Sequence, residues 1–225
     1  VSAKMQCLRS VEAMRDEAKR LEAAGKRIGL VPTMGYLHEG HLDLMRQLRP
    51  HCDSLWVSIF VNPAQFAPTE DLDRYPRDLE RDLELCEAQG VHGVFAPEVQ
   101  AMYPKGFDTW VEPGELGSFF CGASRPGHFR GVLTVVLRLF MLTRCAHSIF
   151  GRKDAQQLFL IQKMVHDLNL PVKILAGETL RETDGLAMSS RNRFLSADER
   201  QAACVLQESL CDIKKAMRAG SSLQV

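Results

Sequence analysis

The chain has 225 residues, of which 45% are hydrophobic and 25% are charged, a composition that can bury the core of one or two domains. Its 28 basic and 28 acidic residues give a formal net charge of zero, which argues against a nucleic-acid partner. The charged N-terminal stretch lacks the apolar core of a signal peptide, and no segment has the roughly 20 apolar residues of a membrane span, so we expect a cytoplasmic protein without a membrane partner.

The first predicted elements are a helix, a strand and a second helix. Apolar residues recur at steps of three and four between Ser10 and Lys26, which predicts a helix that ends near Gly25. The short apolar run RIGLVPT is too brief for a helix and predicts a strand that is buried on both faces. A helix should then begin near Gly40.

The alternation continues along the chain. We predict strands at SLWVSIFV, GVFA, SIFG and VKILAG, helices at 77–88, 132–144 and 154–168, and a loop-rich section over 97–131. Strands that alternate with helices pair in parallel, because the crossover helix returns the chain to the same end of the sheet. The predicted fold class is therefore α/β, a Rossmann-like doubly wound parallel sheet that binds ligands at the carboxyl ends of its strands.

A second, smaller C-terminal domain is expected after the last strand. The strand pattern stops near Gly177, and a polar loop leads to residues 196–218, whose apolar residues have the period of one amphipathic helix. We assign residues 1–178 to the Rossmann-like domain and residues 179–225 to the start of a small lid domain.

The motif PTMGYLHEGH, residues 32–41, lies where the first predicted strand ends and a helix begins. Backbone N–H groups and the positive end of the helix dipole favour an anion there, and Gly35 and Gly40 let the backbone approach it closely. His38 and His41 could then contact one triphosphate together. Capping histidines and a metal site are alternatives, although the pair lacks the H-E-x-x-H spacing of helical zinc sites.

Three further motifs lie at the end of a predicted strand or in a loop that follows one. VSIFVNPAQF leaves the amides of Asn62 and Gln65 at a strand end, where they suit a neutral, hydroxyl-rich ligand, although Asn-Pro alone is a turn signal. FGRKDAQQ brings Lys153, a point-charge phosphate binder, beside Asp154, which could cap a helix, contact a ribose or simply form a solvated pair with the lysine. LAMSSRN adds two hydroxyls and Arg191, a composition suited to phosphate oxygens but common by itself.

Taken together, these motifs resemble the pantothenate synthetase family. The blocks that carry the resemblance cover residues 32–196 and are, in chain order, PTMGYLHEGH, VSIFVNPAQF, RYPRD, CGASRPGHFRGVLTVV, FGRKDAQQ, DLNLPV and RETDGLAMSSRNRFLS. The resemblance implies a nucleotidyltransferase whose H-x-G-H element is residues 38–41 and whose counterpart of K-M-S-K-S is residues 188–191. It further implies a homodimeric ligase that uses ATP and Mg²⁺ to adenylate pantoate and then joins it to β-alanine, releasing AMP and pyrophosphate.

The resemblance also implies roles for individual residues. Lys153 would stabilise charge on the α-phosphate, and the triphosphate would be held by the histidines and by residues 189–191. The implied catalytic residues are His38, His41, Lys153, Ser189 and Arg191. The implied ATP-binding residues are Pro32, Thr33, Met34, Gly40, His41, Gly151, Lys153, Asp154, Met188, Ser189, Ser190 and Arg191. Pantoate would be bound by Met34, Asn62, Gln65 and Gln157, and Asp82 would lie near the magnesium.

Two features depart from the family pattern. Arg152 stands where the family usually has an acidic residue, beside the lysine that is kept. The family usually extends several tens of residues further at the C-terminus, so we expect residues 179–225 to form an incomplete lid domain. We also expect slower adenylation than in a longer version.

Three other functions compete with this interpretation. Another H-x-G-H nucleotidyltransferase, acting on a different small acid or phosphate ester, is disfavoured by NPAQF and RPGHF. A fragment of a tRNA synthetase is disfavoured by the zero net charge. A non-enzymatic metal binder would be distinguished by an assay for ATP-dependent AMP release.

Overall fold

The computed structural model describes residues 5–220, and a sheet of six parallel strands lies at its centre. The strands have the order β1-β4-β3-β2-β5-β6. Their bounds are β1 (Gln6–Leu8), β2 (Ile28–Thr33), β3 (Ser54–Ile59), β4 (Gly93–Phe95), β5 (His147–Gly151) and β6 (Lys173–Gly177). The predicted α/β class with a parallel sheet is confirmed.

Nine α-helices connect or follow these strands within residues 5–220. They are α1 (Val11–Ala23), α2 (Glu39–Leu48), α3 (Leu79–Ala88), α4 (Val99–Met102), α5 (Cys121–Ser124), α6 (His128–Thr143), α7 (Ala155–Asp167), α8 (Ala197–Ala203) and α9 (Val205–Arg218). In this part of the chain no helix is long and apolar enough to cross a bilayer.

Helices cover both faces of the sheet. Leu30 and Trp56 pack with α1, α6 and α7 in one buried cluster, whereas Val31 and Val57 pack with α2 and α3 in the other. Neighbouring strand residues point to opposite faces, so a strand between two helical layers must be apolar at every position. This explains why RIGLVPT and SLWVSIFV are almost continuous apolar runs.

The direction of the chain across the sheet reverses at β2. This strand pairs with β3 on one side and with β5 on the other, both in parallel. The crossover after β2 and the return to β5 lie on opposite sides, which opens a crevice at the carboxyl ends of β2 and β5. Doubly wound sheets bind ligands at such a point.

Two element predictions differ from the structure near the start of the chain and at α3. The strand β1 was not predicted, because it has only three residues and begins with a polar one; it pairs with β4 at the edge of the sheet. The helix predicted over 77–88 begins two residues later, because the side chain of Asp78 accepts a bond from the amide of Arg81 and caps α3.

The prediction of a single helix over 196–218 is wrong. The amide of Cys204 bonds the carbonyl of Gln201, three residues back, and a new α-helical ladder starts from the carbonyl of Cys204. The segment is therefore divided into α8 and α9. The apolar residues expected on its inner face are largely exposed, for example Leu206 at 68% and Leu210 at 56%.

Candidate active site

A cavity of about 260 Å³ lies at the carboxyl ends of the central strands. Loops after β2, β3, β5 and β6 form its walls, together with the segment that precedes α8. Every residue predicted to bind ATP or pantoate contributes to the lining. These residues are Pro32, Thr33, Met34, His38, Gly40, His41, Asn62, Gln65, Gly151, Lys153, Asp154, Gln157, Met188, Ser189, Ser190 and Arg191.

The two histidines form a reciprocal cap at the start of α2. Nδ1 of His38 accepts from the amide of Gly40, and Nδ1 of His41 accepts from the amide of His38, each at 3.2 Å. An accepting Nδ1 carries no hydrogen, so these partners assign the hydrogen of a neutral ring to Nε2. Both rings line the cavity with centroids 4.0 Å apart, and they can offer Nε2–H donors to an anion.

The surroundings of both histidines favour the uncharged ring. Burial lowers the pKa of His41 to about 3, and the nearby His38 and Lys153 contribute to that fall. Burial also lowers the pKa of His38, again with a contribution from Lys153. A neutral imidazole retains the Nδ1 acceptor that the cap requires.

Lys153 supplies a positive charge close to these rings. It lies in the 3-10 turn Arg152–Asp154, between β5 and α7, and its side chain is 38% exposed. The ammonium lies 3.5 Å from a carboxylate oxygen of Asp154, while the neighbouring Arg152 pairs with Glu178 at 3.1 Å. The arginine that departs from the family pattern therefore has its own carboxylate partner.

Amide side chains form a second polar group in the cavity wall. Asn62 is 1% exposed and donates to the side-chain oxygen of Gln65 at 3.0 Å and to the carbonyl of Gly131 at 3.1 Å. Its own oxygen accepts from the hydroxyl of Tyr103 at 2.8 Å. Gln65 in turn directs its NH₂ toward the sulfur of Met34, 3.2 Å away. Asn62 is thus fully occupied within the protein and orients Gln65.

The segment 188–191 completes the cavity wall from the C-terminal part of the chain. The guanidinium of Arg191 donates two bonds to the carboxylate of Asp71, at 2.8 and 2.9 Å. The hydroxyls of Ser190 and Tyr75 lie 3.2 Å apart. These contacts hold the segment against the loop that follows β3.

Asp82, the predicted magnesium neighbour, does not line the cavity. Its carboxylate is 1% exposed, and its two oxygens accept from the amides of Tyr36 and Leu37, each at 2.7 Å. Burial raises the pKa of this carboxyl group, and the two amide bonds oppose that rise. Among residues 5–220 no group of three or more histidine, cysteine or carboxylate side chains could hold a metal ion.

Several lining residues were not singled out from the sequence. Arg125 makes two bonds to the carboxylate of Glu70, at 2.5 and 2.8 Å, and its remaining nitrogen lies 3.1 Å from a ring nitrogen of His128. The other ring nitrogen of His128 lies 2.9 Å from the carbonyl of Gln65. The blocks RYPRD and CGASRPGHFRGVLTVV, quoted above without residue roles, contain Tyr75, Arg125 and His128 and were the available signal.

Comparisons with known proteins agree on one family. The model of the family described as pantoate-beta-alanine ligase matches residues 6–224. A pantothenate synthetase from Pelotomaculum thermopropionicum is 51% identical over 211 residues, which are 94% of this chain and 75% of the relative. A pantothenate synthetase from Thermoanaerobacter sp. is 53% identical over 93% of this chain and 74% of its own length.

Solved structures show the same relationship. The crystal structure of pantothenate synthetase from Thermus thermophilus superposes with a TM-score of 0.92 and 46% identity, covering 97% of this chain and 78% of that one. The pantoate-beta-alanine ligase of Francisella tularensis, solved as a complex with beta-gamma ATP and beta-alanine, superposes with a TM-score of 0.86 and 36% identity. That match covers 91% of this chain and 78% of the other.

Proposed function

The chain belongs to the pantoate-beta-alanine ligase family, and from that premise we propose that it activates pantoate with ATP before joining it to β-alanine. The overall reaction of this enzyme is the ligation of pantoate and β-alanine to give pantothenate. In the first proposed step a pantoate carboxylate oxygen attacks the α-phosphorus of ATP, and pyrophosphate leaves. In the second, the β-alanine amine attacks the acyl carbon of pantoyl-adenylate, loses a proton and displaces AMP.

The observation that best supports an adenylate is the composition of the cavity. It combines phosphate-type donors, namely His38, His41 and Lys153, with the uncharged amides of Gln65 and Gln157. A triphosphate requires the first set, whereas a small hydroxy acid requires donors and acceptors without further charge. The lining of one cavity therefore offers suitable groups to both reactants.

Charge stabilisation and alignment account for the proposed chemistry. Lys153 offsets the negative charge that grows on the α-phosphate oxygens during attack, and the Nε2–H groups of the two neutral histidines donate to triphosphate oxygens. Gln65 and Gln157 hold the pantoate so that its carboxylate lies in line with the α-phosphorus. No residue has to form a covalent intermediate.

The remaining ATP contacts are assigned to three loops. Ser189, Ser190 and Arg191 bind the β- and γ-phosphates, and Gly151, Asp154 and Met188 surround the adenosine, with residues 32–34 and Gly40 forming the floor of the nucleotide site. The relative from Francisella tularensis, whose structure is a complex with beta-gamma ATP and beta-alanine, supports binding of these two ligands by this fold.

A magnesium ion does not fit at Asp82, the residue that the family resemblance places near the metal. Both oxygens of Asp82 already accept short bonds from backbone amides, and its burial leaves no surface for the waters that Mg²⁺ normally keeps. We therefore assign no step to a magnesium ion on Asp82.

A homodimer and a two-domain division remain part of the proposal. The loop before α6 exposes apolar side chains, among them Leu116, Phe119 and Phe120 at 47%, 46% and 86%, which a second copy could cover. Light scattering over a range of protein concentrations would determine the oligomeric state.

The proposed division into two domains at residue 178 is supported by the end of the sheet at Gly177.

Isotope transfer provides the sharpest test of the adenylate. Pantoate labelled with ¹⁸O in its carboxylate should deliver one labelled oxygen to AMP, because the attacking oxygen stays with phosphorus when β-alanine displaces the nucleotide. Pyrophosphate should form from ATP and pantoate alone in an amount no greater than the enzyme. Unlabelled AMP, or release of ADP and phosphate, would contradict an adenylate.

A further inference from the structure

The turn between β2 and α2 contains two consecutive residues with positive φ. Gly35 and Tyr36 both lie in the left-handed region, with φ of 81° and 51°. Glycine adopts this conformation freely, but for tyrosine it is unfavourable and persists only where surrounding contacts impose it. The turn leads directly into His38, so its shape determines where both histidine rings lie.

The first turn of α3 supplies those contacts. The carboxylate of Asp82 accepts from the amides of Tyr36 and Leu37, both at 2.7 Å, which are the two residues immediately before His38. The guanidinium of Arg81 donates to the carbonyl of Leu37 at 3.1 Å and lies 5.4 Å from the centre of the Tyr36 ring. Asp82 and Arg81, which are adjacent in α3, thus form hydrogen bonds with consecutive peptide groups of the turn.

We propose that Asp82, assisted by Arg81, is a positioning residue that fixes the turn carrying His38 and His41, and that it does not coordinate magnesium. The inference rests on the proposed function, since the histidines matter here as ATP ligands. Two charge-assisted bonds of this length to backbone amides are strong and directional. They set the direction in which the chain enters α2, and thereby the position of the Nε2–H donors.

The isosteric substitution Asp82→Asn isolates this role. Asparagine keeps the shape but has only one accepting oxygen, so its NH₂ group must face one of the two amides and that bond is lost. We expect the rate of pyrophosphate formation from ATP and pantoate to fall by about 30-fold or more, while the KM for pantoate changes less than about threefold. Excess Mg²⁺ should not restore the rate.

A magnesium ligand would behave differently. Its loss should raise the Mg²⁺ concentration that gives the half-maximal rate by about tenfold or more, and high Mg²⁺ should rescue the variant. Either result would overturn the proposal. Arg81→Met provides a second variant, because this side chain is 46% exposed and substitutions of exposed side chains usually change stability little. We expect a severalfold slower rate, and an unchanged rate would also count against the proposal.

Asp78→Ala is the matched control for a merely structural effect. Asp78 caps the same helix, but it bonds the amide of Arg81 and does not touch the turn. Both variants should lower the Tm, yet only Asp82→Asn should slow the chemistry at a temperature well below both transitions. Equal losses of rate in the two variants would show that Asp82 acts through stability alone.

Histidine side-chain NMR separates this inference from the proposed function. The Nε2–H signals of His38 and His41 should shift in Asp82→Asn and remain in place in Asp78→Ala, whether or not the enzyme forms an adenylate. Unchanged signals in Asp82→Asn would refute the positioning role. A wild-type protein that releases no pyrophosphate would refute the proposed function and leave the NMR result standing.

Discussion

At the scale of single residues, the protonation of His41 affects the stability of the fold. Its ring accepts the amide of His38 only when Nδ1 is free of a proton, and burial lowers its pKa to about 3. In the unfolded chain the same ring has a pKa of about 6.5. Between these two values the unfolded state binds a proton that the folded state does not, so folding becomes less favourable as the pH falls below about 6.5.

The replacement His41→Asn tests this linkage. The asparagine oxygen can accept the amide of His38 in place of Nδ1 but does not titrate. At a pH of about 7.5 His41 is neutral in both the folded and the unfolded state and does not lower the free energy of unfolding. At a pH of about 5 its suppressed protonation lowers the free energy of unfolding of the wild type by up to about 2 kcal/mol. Urea unfolding at both pH values should show a smaller acid-induced loss in the variant. Identical losses would mean that His41 takes up a proton in the folded protein.

Lys153 should act mainly in the transition state. If it offsets charge that develops on the α-phosphate, Lys153→Ala should lower kcat by about a hundredfold or more, with a much smaller change in the KM for ATP. Steady-state AMP formation measures both quantities. Arg152→Ala is the control, because this neighbouring cation pairs with Glu178 instead. A loss shared equally between KM and kcat would contradict the assigned role of the lysine.

Gln157 and its neighbour Gln156 allow a matched test of pantoate binding. Gln157 lines the cavity, whereas Gln156 bonds the backbone of Leu116, Phe119 and Cys121. Gln157→Ala should raise the KM for pantoate by about tenfold and leave the KM for ATP nearly unchanged, since an uncharged amide contributes little to phosphate binding. Gln156→Ala should change neither constant. A variant that loses ATP affinity first would show that the assignment is wrong.

At the scale of elements, the sequence predicts the parts that have a strong period or lie next to a strand end. The apolar runs of β2 and β3 and the apolar face of α1 were sufficient to locate these elements. The motifs at 38–41 and 62–65 were placed at strand ends because each follows a strand within a few residues. The sequence could not reveal that Asp82 contacts Tyr36 and Leu37, because its partners lie 46 and 45 residues away and the contact depends on the packing of α3.

The contact between α6 and the turn formed by residues 62–65 gives a prediction at the scale of elements. A Cβ atom on Gly131 would lie 2.1 Å from the carbonyl oxygen of Ala64, so the helix approaches the turn as closely as glycine permits. Gly131→Ala should therefore displace the turn that carries Asn62 and Gln65. We expect a loss of about 2 kcal/mol in the free energy of unfolding and a higher KM for pantoate.

Gly114→Ala is the control for that substitution. A Cβ atom on Gly114 meets no heavy atom within 4 Å, and its φ of −67° suits alanine. Chemical unfolding should find this variant as stable as the wild type within about 0.5 kcal/mol. If Gly131→Ala behaved in the same way, the close approach of helix and turn would have no energetic importance.

At the scale of the whole molecule, the segment before α8 contacts the loops of the sheet mainly through partly exposed polar and aromatic side chains. The bidentate pair of Arg191 with Asp71 joins two partly exposed side chains, 43% and 30% accessible, and pairs between exposed side chains typically contribute about 1 kcal/mol or less. The hydroxyl contact between Tyr75 and Ser190 adds one neutral bond. Neither α8 nor α9 contains a buried residue. By contrast, four of the six residues of β2 and five of the six residues of β3 are buried.

This difference predicts a hierarchy in hydrogen exchange. Amides of α9 should exchange at least about a hundredfold faster than those of β2 and β3, because few buried contacts must break to open them. Addition of ATP and pantoate should slow exchange over residues 187–194, where hydroxyls and Arg191 are proposed to bind phosphates, and leave α1 unchanged. A segment that closes over its ligand gains protection in this way.

The substitution Arg191→Ala decides whether that protection comes from phosphate binding. In this variant the ligand-induced slowing over 187–194 should largely disappear, because the segment loses both its pair with Asp71 and the charged contact to the nucleotide that we propose. The companion Asp71→Asn removes the pair but keeps the arginine, so ATP should still slow exchange there. If both variants lost the protection equally, the ion pair would hold the segment in place and Arg191 would have no separate role at the phosphates.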